Sequence, residues 1–129
     1  MEKSIISTVC VAISAYAFGG WSSLLGLLAL ACAIDYGTGI LASIKEGKKI
    51  SSSVGYWGFM KKALMFTAIM LAHRLDVSQG TTVIMQGAVY SFLANELVSI
   101  SENYARLGWP LPKPLQDGIS FVKSKLTGK

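Results

Sequence analysis

What is scarce in this chain narrows its possibilities first. It has a single histidine, His73, with no serine or cysteine nucleophile at a motif spacing, and no glycine-rich phosphate loop precedes a helix. Catalysis is therefore not expected, and no cofactor or metal is implied. The two cysteines, Cys10 and Cys32, lie in apolar runs without zinc-type spacing. They are expected to be buried free thiols, not a disulfide framework. The three prolines fall together in Trp109-Pro110-Leu111-Pro112-Lys113-Pro114, a stretch that reads as an extended, helix-breaking linker. Charge is scarce too, at 15% of residues against about 25% in soluble domains. Between Lys3 and Lys45 the one formal charge is Asp35. There is no internal repeat, which argues against an inverted-repeat transporter built within one chain.

Hydrophobic residues, by contrast, make up 52% of the 129 positions, and mean hydropathy is +0.49. Apolar runs near the ~20 residues that span a hydrocarbon core point to an all-α integral membrane protein, ahead of a soluble helical bundle. The net charge of +5 comes mostly from lysines flanking those runs. That placement fits membrane topology and anionic lipid better than nucleic acid. Lys3, an apolar stretch and Ala15-Tyr16-Ala17 have the outline of a signal peptide. Serines and Thr8 dilute that stretch, however, and a second apolar run follows at once, so retention as a helix is expected.

Taken in order, Gly19-Gly20-Trp21-Ser22-Ser23 should break the first 44 residues into helices at about 4–18 and 22–44. Residues 45–62 form a polar connection carrying Lys45, Lys48, Lys49, Lys61 and Lys62, with Tyr56, Trp57 and Phe59 as an aromatic belt. Such a lysine-rich loop belongs on the cytoplasmic side, which makes the N-terminus cytoplasmic too. A third helix is expected from near Phe59 through Ala72, with only ten uncharged residues before His73-Arg74-Leu75-Asp76. It spans only if Lys61 and Lys62 snorkel to the interface. A fourth runs from about Thr82 to Ser101, with Gly87, Ser91, Asn95 and Ser99 on one small, polar face that is either a packing or a pore-lining surface. Three to four membrane helices result, as a membrane domain over residues 1–101. The remainder, 102–129, is a cytoplasmic basic tail in which Leu115, Ile119, Val122 and Leu126 form an amphipathic stripe beside Lys123, Lys125 and Lys129.

A lone carboxylate in a membrane span costs about 2.5–3.5 kcal/mol on insertion scales, so Asp35 needs a partner. It lies ten residues before Lys45, ~15 Å along a helix. His73 and Arg74 lie eleven and twelve residues past Lys62, ~17 and ~18 Å along theirs. With Lys45 and Lys62 as interface markers, Arg74 or His73 is the expected partner, within a subunit or between neighbours. Asp35 also shares a helix face with Ala31, Gly39 and Ser43, and Ala29, Ala33 and Gly37 form a second small-residue ladder. Both suit close helix contact, either inside one bundle or between copies.

Asp35-Tyr36-Gly37-Thr38-Gly39 in the second apolar helix is followed by a lysine-rich loop with Gly55-Tyr56-Trp57-Gly58-Phe59 and Lys61-Lys62. A helix ending Leu71-Ala72-His73-Arg74-Leu75-Asp76 comes next. In this order and spacing, over about residues 20–100, the chain resembles the toxin-secretion and phage-lysis holin family. The resemblance implies a small bacteriophage-type protein that oligomerises in the bacterial cytoplasmic membrane. Its lesions release an endolysin for host cell lysis, or assist toxin secretion, without catalysis or cofactor. It marks Asp35, Tyr36, Thr38, Arg74 and Asp76 as candidates for assembly. Two other functions fit the composition. A small proton-coupled multidrug-type transporter would use Asp35 as its binding group, and a non-lytic antiholin or accessory subunit would delay lysis by a partner.

Overall fold

The computed structural model describes residues 1–127, in which α-helix is the sole regular structure. Lys129, expected beside the tail's apolar stripe, lies outside the described residues. Helix α1 (Glu2–Phe18) stops at Gly19 and Gly20, whose φ values of 72° and 106° belong to the region that glycine alone enters freely. The Ser22 hydroxyl then accepts the Leu25 amide hydrogen at 3.1 Å and starts α2 (Ser23–Lys45).

Helix α3 runs from Ser52 to Gln79, seven residues earlier than the sequence led us to expect. Ser51 caps it by accepting from the Val54 amide at 3.2 Å, so Gly55-Tyr56-Trp57-Gly58 is helix and not loop. Those glycines serve contact. A Cβ on Gly55 would stand 3.1 Å from the Tyr36 hydroxyl, and one on Gly58 3.4 Å from the same ring. Tyr36 donates across this approach to the Gly55 carbonyl at 3.1 Å.

Gly80, with φ of 69°, ends α3 and opens the turn into α4 (Val83–Arg106). The boundary expected at residue 101 thus falls inside a helix, and the tail is not detached. Its helix α5 (Lys113–Thr127), with Pro114 in the tolerated first turn, packs back on α4. Ile119 and Val122 of the expected stripe are half-buried, while Leu115 and Leu126 stay exposed.

α4 is the hub. It packs against α2, α3 and α5, and α1 packs on α3. α2 and α3 stand farther apart and meet through side chains, Tyr36 on Gly55 and Gly58, Cys32 beside Met65 and Asp35 with Lys62. The core joins Leu25 and Leu28 of α2, Ile69 of α3, and Val89, Leu93 and Ile100 of α4. Cys32 is buried beside it, its thiol 3.9 Å from the Met65 sulfur. Cys10, by contrast, is exposed, because nearly all of α1 lacks a neighbour to cover it.

Two helices, α2 and α4, are long and apolar enough to cross a membrane. Only 22% and 28% of their apolar windows are buried inside the protein. The covered central helix of a soluble bundle would be buried over far more of its length.

Candidate functional site

Three helices each carry one charge at the same distance from the same end of the bundle. Asp35 stands ten residues before Lys45, the end of α2; Lys62 ten after Ser52, the start of α3; Glu96 ten before Arg106, the end of α4. At 1.5 Å per residue each lies ~15 Å from that end, so the three meet at one level.

They meet as a triad. The Lys62 ammonium donates to Asp35 Oδ2 at 2.9 Å and to Glu96 Oε2 at 2.7 Å. Side-chain exposure is 19% for Lys62, 16% for Asp35 and 8% for Glu96, low enough that water competes weakly for these bonds. Asn103 of α4 completes the set by donating to Asp35 Oδ1 at 2.9 Å, to the Asp35 carbonyl at 3.1 Å and to Thr38 Oγ1 at 3.0 Å. Thr38 in turn donates to the Ile34 carbonyl at 2.7 Å. Among the described residues no buried side-chain polar atom lacks a partner.

This corrects the expected partner of Asp35. Lys62 is not a snorkelling interface residue, because α3 begins at Ser52 and carries Lys62 down to the level of Asp35. Arg74 and His73 lie towards the opposite end. The Arg74 guanidinium sits 4.1 Å over the Tyr16 ring and donates to the Tyr16 carbonyl at 3.4 Å. His73 packs on the α1–α2 turn, where a Cβ on Gly19 would come within 2.9 Å of its ring.

Asp76 serves the fold. It is 2% exposed and accepts from the Thr81 hydroxyl at 2.6 Å and from the Ile84 and Met85 amides at 3.0 and 2.8 Å. A side chain of α3 thereby caps the otherwise unpaired start of α4. Asp76→Ala should lower the thermal unfolding midpoint in detergent by several degrees, and Asp76→Asn by less, since its amide oxygen still accepts. Unchanged midpoints in both would show that these bonds do not hold the turn.

At the loop end, Arg106 reaches Glu46 at 2.6 Å, Asn103 Oδ1 at 3.2 Å and Ser43 Oγ at 3.4 Å, and Lys45 donates to the Leu107 carbonyl at 2.7 Å. The Arg106 bond, with help from Lys48, holds the Glu46 carboxyl down at about 2, below its ordinary 4.5. A depressed folded value stabilises above the unfolded value and is lost as pH falls through the folded one. The stability difference between the native chain and Glu46→Gln should therefore be constant above pH 4.5 and vanish as pH falls through about 2. Thermal unfolding across that range checks it.

The small-residue faces divide. Ala31 is buried against the bundle, and a Cβ on Gly39 would meet Asn103 Nδ2 at 3.5 Å. Gly37 and Gly87 face open space. The Gly87–Ser91–Asn95 face points away from the other helices: Gly87 and Asn95 are exposed, and Ser91 donates back to the Gly87 carbonyl at 2.8 Å. Asn95 makes no side-chain hydrogen bond with another described residue. Lys48 and Lys49 are exposed at the loop end, Lys61 on α3 one residue before Lys62, and Lys123 and Lys125 on α5.

Sequence reasoning missed Glu96, Asn103 and Arg106. Glu96 carried a usable signal, being the one formal charge between Asp76 and Glu102. It announces itself just as Asp35 does.

Residues 12–124 match a family profile described as the bacteriophage holin family. An uncharacterised protein of Halalkalibacterium halodurans is 36% identical over 91% of this chain and 90% of its own length. One from Listeria monocytogenes is 36% identical over 88% of this chain and 81% of its own length. A protein named probable holin, from Bacillus phage phi105, is 30% identical over 85% of this chain and 81% of its own length. No solved structure matches the chain.

Proposed function

The chain belongs to the bacteriophage holin family, and from that premise we propose that it oligomerises in the bacterial cytoplasmic membrane and opens lesions there. Through them an endolysin reaches the cell wall, or a toxin leaves the cell. In this reading α2, α3 and α4 span the bilayer and α1 is a short fourth membrane helix. The lysine-rich loop and both termini face the cytoplasm, and α5, packed on α4, turns Lys123 and Lys125 towards the inner leaflet. The triad then sits ~15 Å deep, about half of a ~30 Å hydrocarbon core.

One observation carries the assembly reading: Asn95 is exposed on the outward face of α4, and its amide makes no hydrogen bond with another described residue. An unsatisfied amide in hydrocarbon is costly, and pairing across helices of neighbouring copies relieves it. Gly87 and Ser91 on the same face leave room for the close approach this requires. The transporter reading loses support, because the Asp35 carboxylate is already held by Lys62 and Asn103.

Induced expression in a bacterium, with and without a muralytic enzyme, tests the proposal. Abrupt growth arrest is expected in both cultures, with lysis only where the enzyme is present. Continued growth, or a delay of lysis caused by a co-expressed lytic protein, would contradict it.

A further inference from the structure

Because α4 bridges α2 and α3 from behind, a cleft stays open between those two helices. Its apolar part, about 460 Å³, is walled by Ala29, Ala33 and Ala63 and by the rings of Tyr36, Phe59 and Phe66. A second cavity, of about 520 Å³, runs from the loop end to the triad, shares Tyr36 and Lys62 as walls, and is lined by Lys48 and Lys49 from the loop and by Lys61, one residue before Lys62. Glu102 also lines it. Asp35 and Glu96 lie at its deep end, where they share the Lys62 ammonium. Lys49 and Lys61 make no ion pair with another described residue, and Lys48 has only Glu46 at 3.4 Å.

We propose that this cleft binds one anionic phospholipid, its phosphate among Lys48, Lys49 and Lys61 and an acyl chain against the alanine wall between α2 and α3. The charge order fits such a ligand and no neutral one: cationic rim, then an apolar trough along the same helices. Basic pockets between membrane helices on the side facing anionic lipid have this chemistry. The small side chains leave the trough open, and the aromatic rings give it apolar sides. A bound chain would fill the gap that α2 and α3 leave and hold them at a fixed separation.

The proposal needs the chain to be a membrane protein but not to form lesions, so its failure is separable from that of the lytic reading. The test titrates the purified full chain, in zwitterionic detergent, with dioleoyl phosphatidylglycerol, dioleoyl phosphatidylcholine or free glycerol phosphate. Thermal midpoint and native mass are read together. Phosphatidylglycerol alone should raise the midpoint and remain bound at one per protomer. Lys48→Gln/Lys49→Gln/Lys61→Gln should weaken it by at least tenfold, at about fivefold per lysine near a membrane surface. Ala33→Trp, a change at an exposed position that fills the trough, should abolish binding of the intact lipid, and decides the matter by itself should the triple variant not fold. Equal effects of phosphatidylcholine or of glycerol phosphate would overturn the proposal. So would native-like binding in both variants, or a dimer that excludes lipid and is lost in Ala33→Trp, which would place a second copy in the cleft.

Discussion

Lys62→Met is expected to be the most damaging single change in the bundle, at about 3–5 kcal/mol. It removes the one cation that two low-exposure carboxylates share, and leaves Asp35 and Glu96 facing each other without compensation. Adding Asp35→Asn and Glu96→Gln should recover most of the loss, because the triad site then holds no buried charge to neutralise. The comparison isolates electrostatics from packing, since Met keeps most of the lysine stem. Denaturant unfolding in detergent, followed by far-ultraviolet dichroism, measures it. Equal destabilisation of the single and triple variants would mean that the charges do not govern the site.

The second large effect belongs to the outer face of α4. Gly87→Leu, Ser91→Leu and Asn95→Leu together should leave the protomer folded and abolish its assembly. Among the described residues these positions have no hydrogen-bond partner on another helix, so their replacement removes no such bond from the protomer. Between copies, each lost interhelical hydrogen bond is worth on average about 0.6 and at most about 1.7 kcal/mol, and leucine blocks the close approach at Gly87. Those modest losses repeat at every contact of a multimer. Cross-linking in membranes should show a ladder of species for the native chain and only monomer for the variant. Native-like ladders in the variant would move the contact surface elsewhere.

The sequence made the helices legible wherever apolar runs ended in glycine or serine. Gly19-Gly20 and Gly80 mark turns as expected, and α1, α2 and the start of α4 lie within about two residues of their expected bounds. It failed at the start of α3. There Gly55, Gly58 and three serines resemble a loop, and what makes them helical is the Tyr36 ring packed on the glycines from another helix. That one misplacement shifted the depth scale by seven residues and turned Lys62 from interior partner into interface marker. Asp35 was recognisable as a charge in need of a partner because such charges are costly in apolar surroundings. Which cation meets it depends on the register of α3 against α2, a tertiary property set by α4. Glu96 is visible as a lone charge in its helix, but its pairing with Lys62 across two helices is again a tertiary property. The role of Asp76 was also beyond sequence reach, since a carboxylate that caps the next helix across a turn has the same local pattern as a surface aspartate.

The triad joins α2, α3 and α4 at a single level, and on this account a protomer can assemble only when no charge at that level is left uncompensated. The most direct measurement is the time of lysis in induced bacteria that also carry a muralytic enzyme. It compares the native chain, Lys62→Met and the charge-free Asp35→Asn/Lys62→Met/Glu96→Gln variant at equal membrane abundance. The account predicts abrupt lysis with the native chain, none with Lys62→Met, and its return with the charge-free variant. Lysis by Lys62→Met on the native schedule would contradict it.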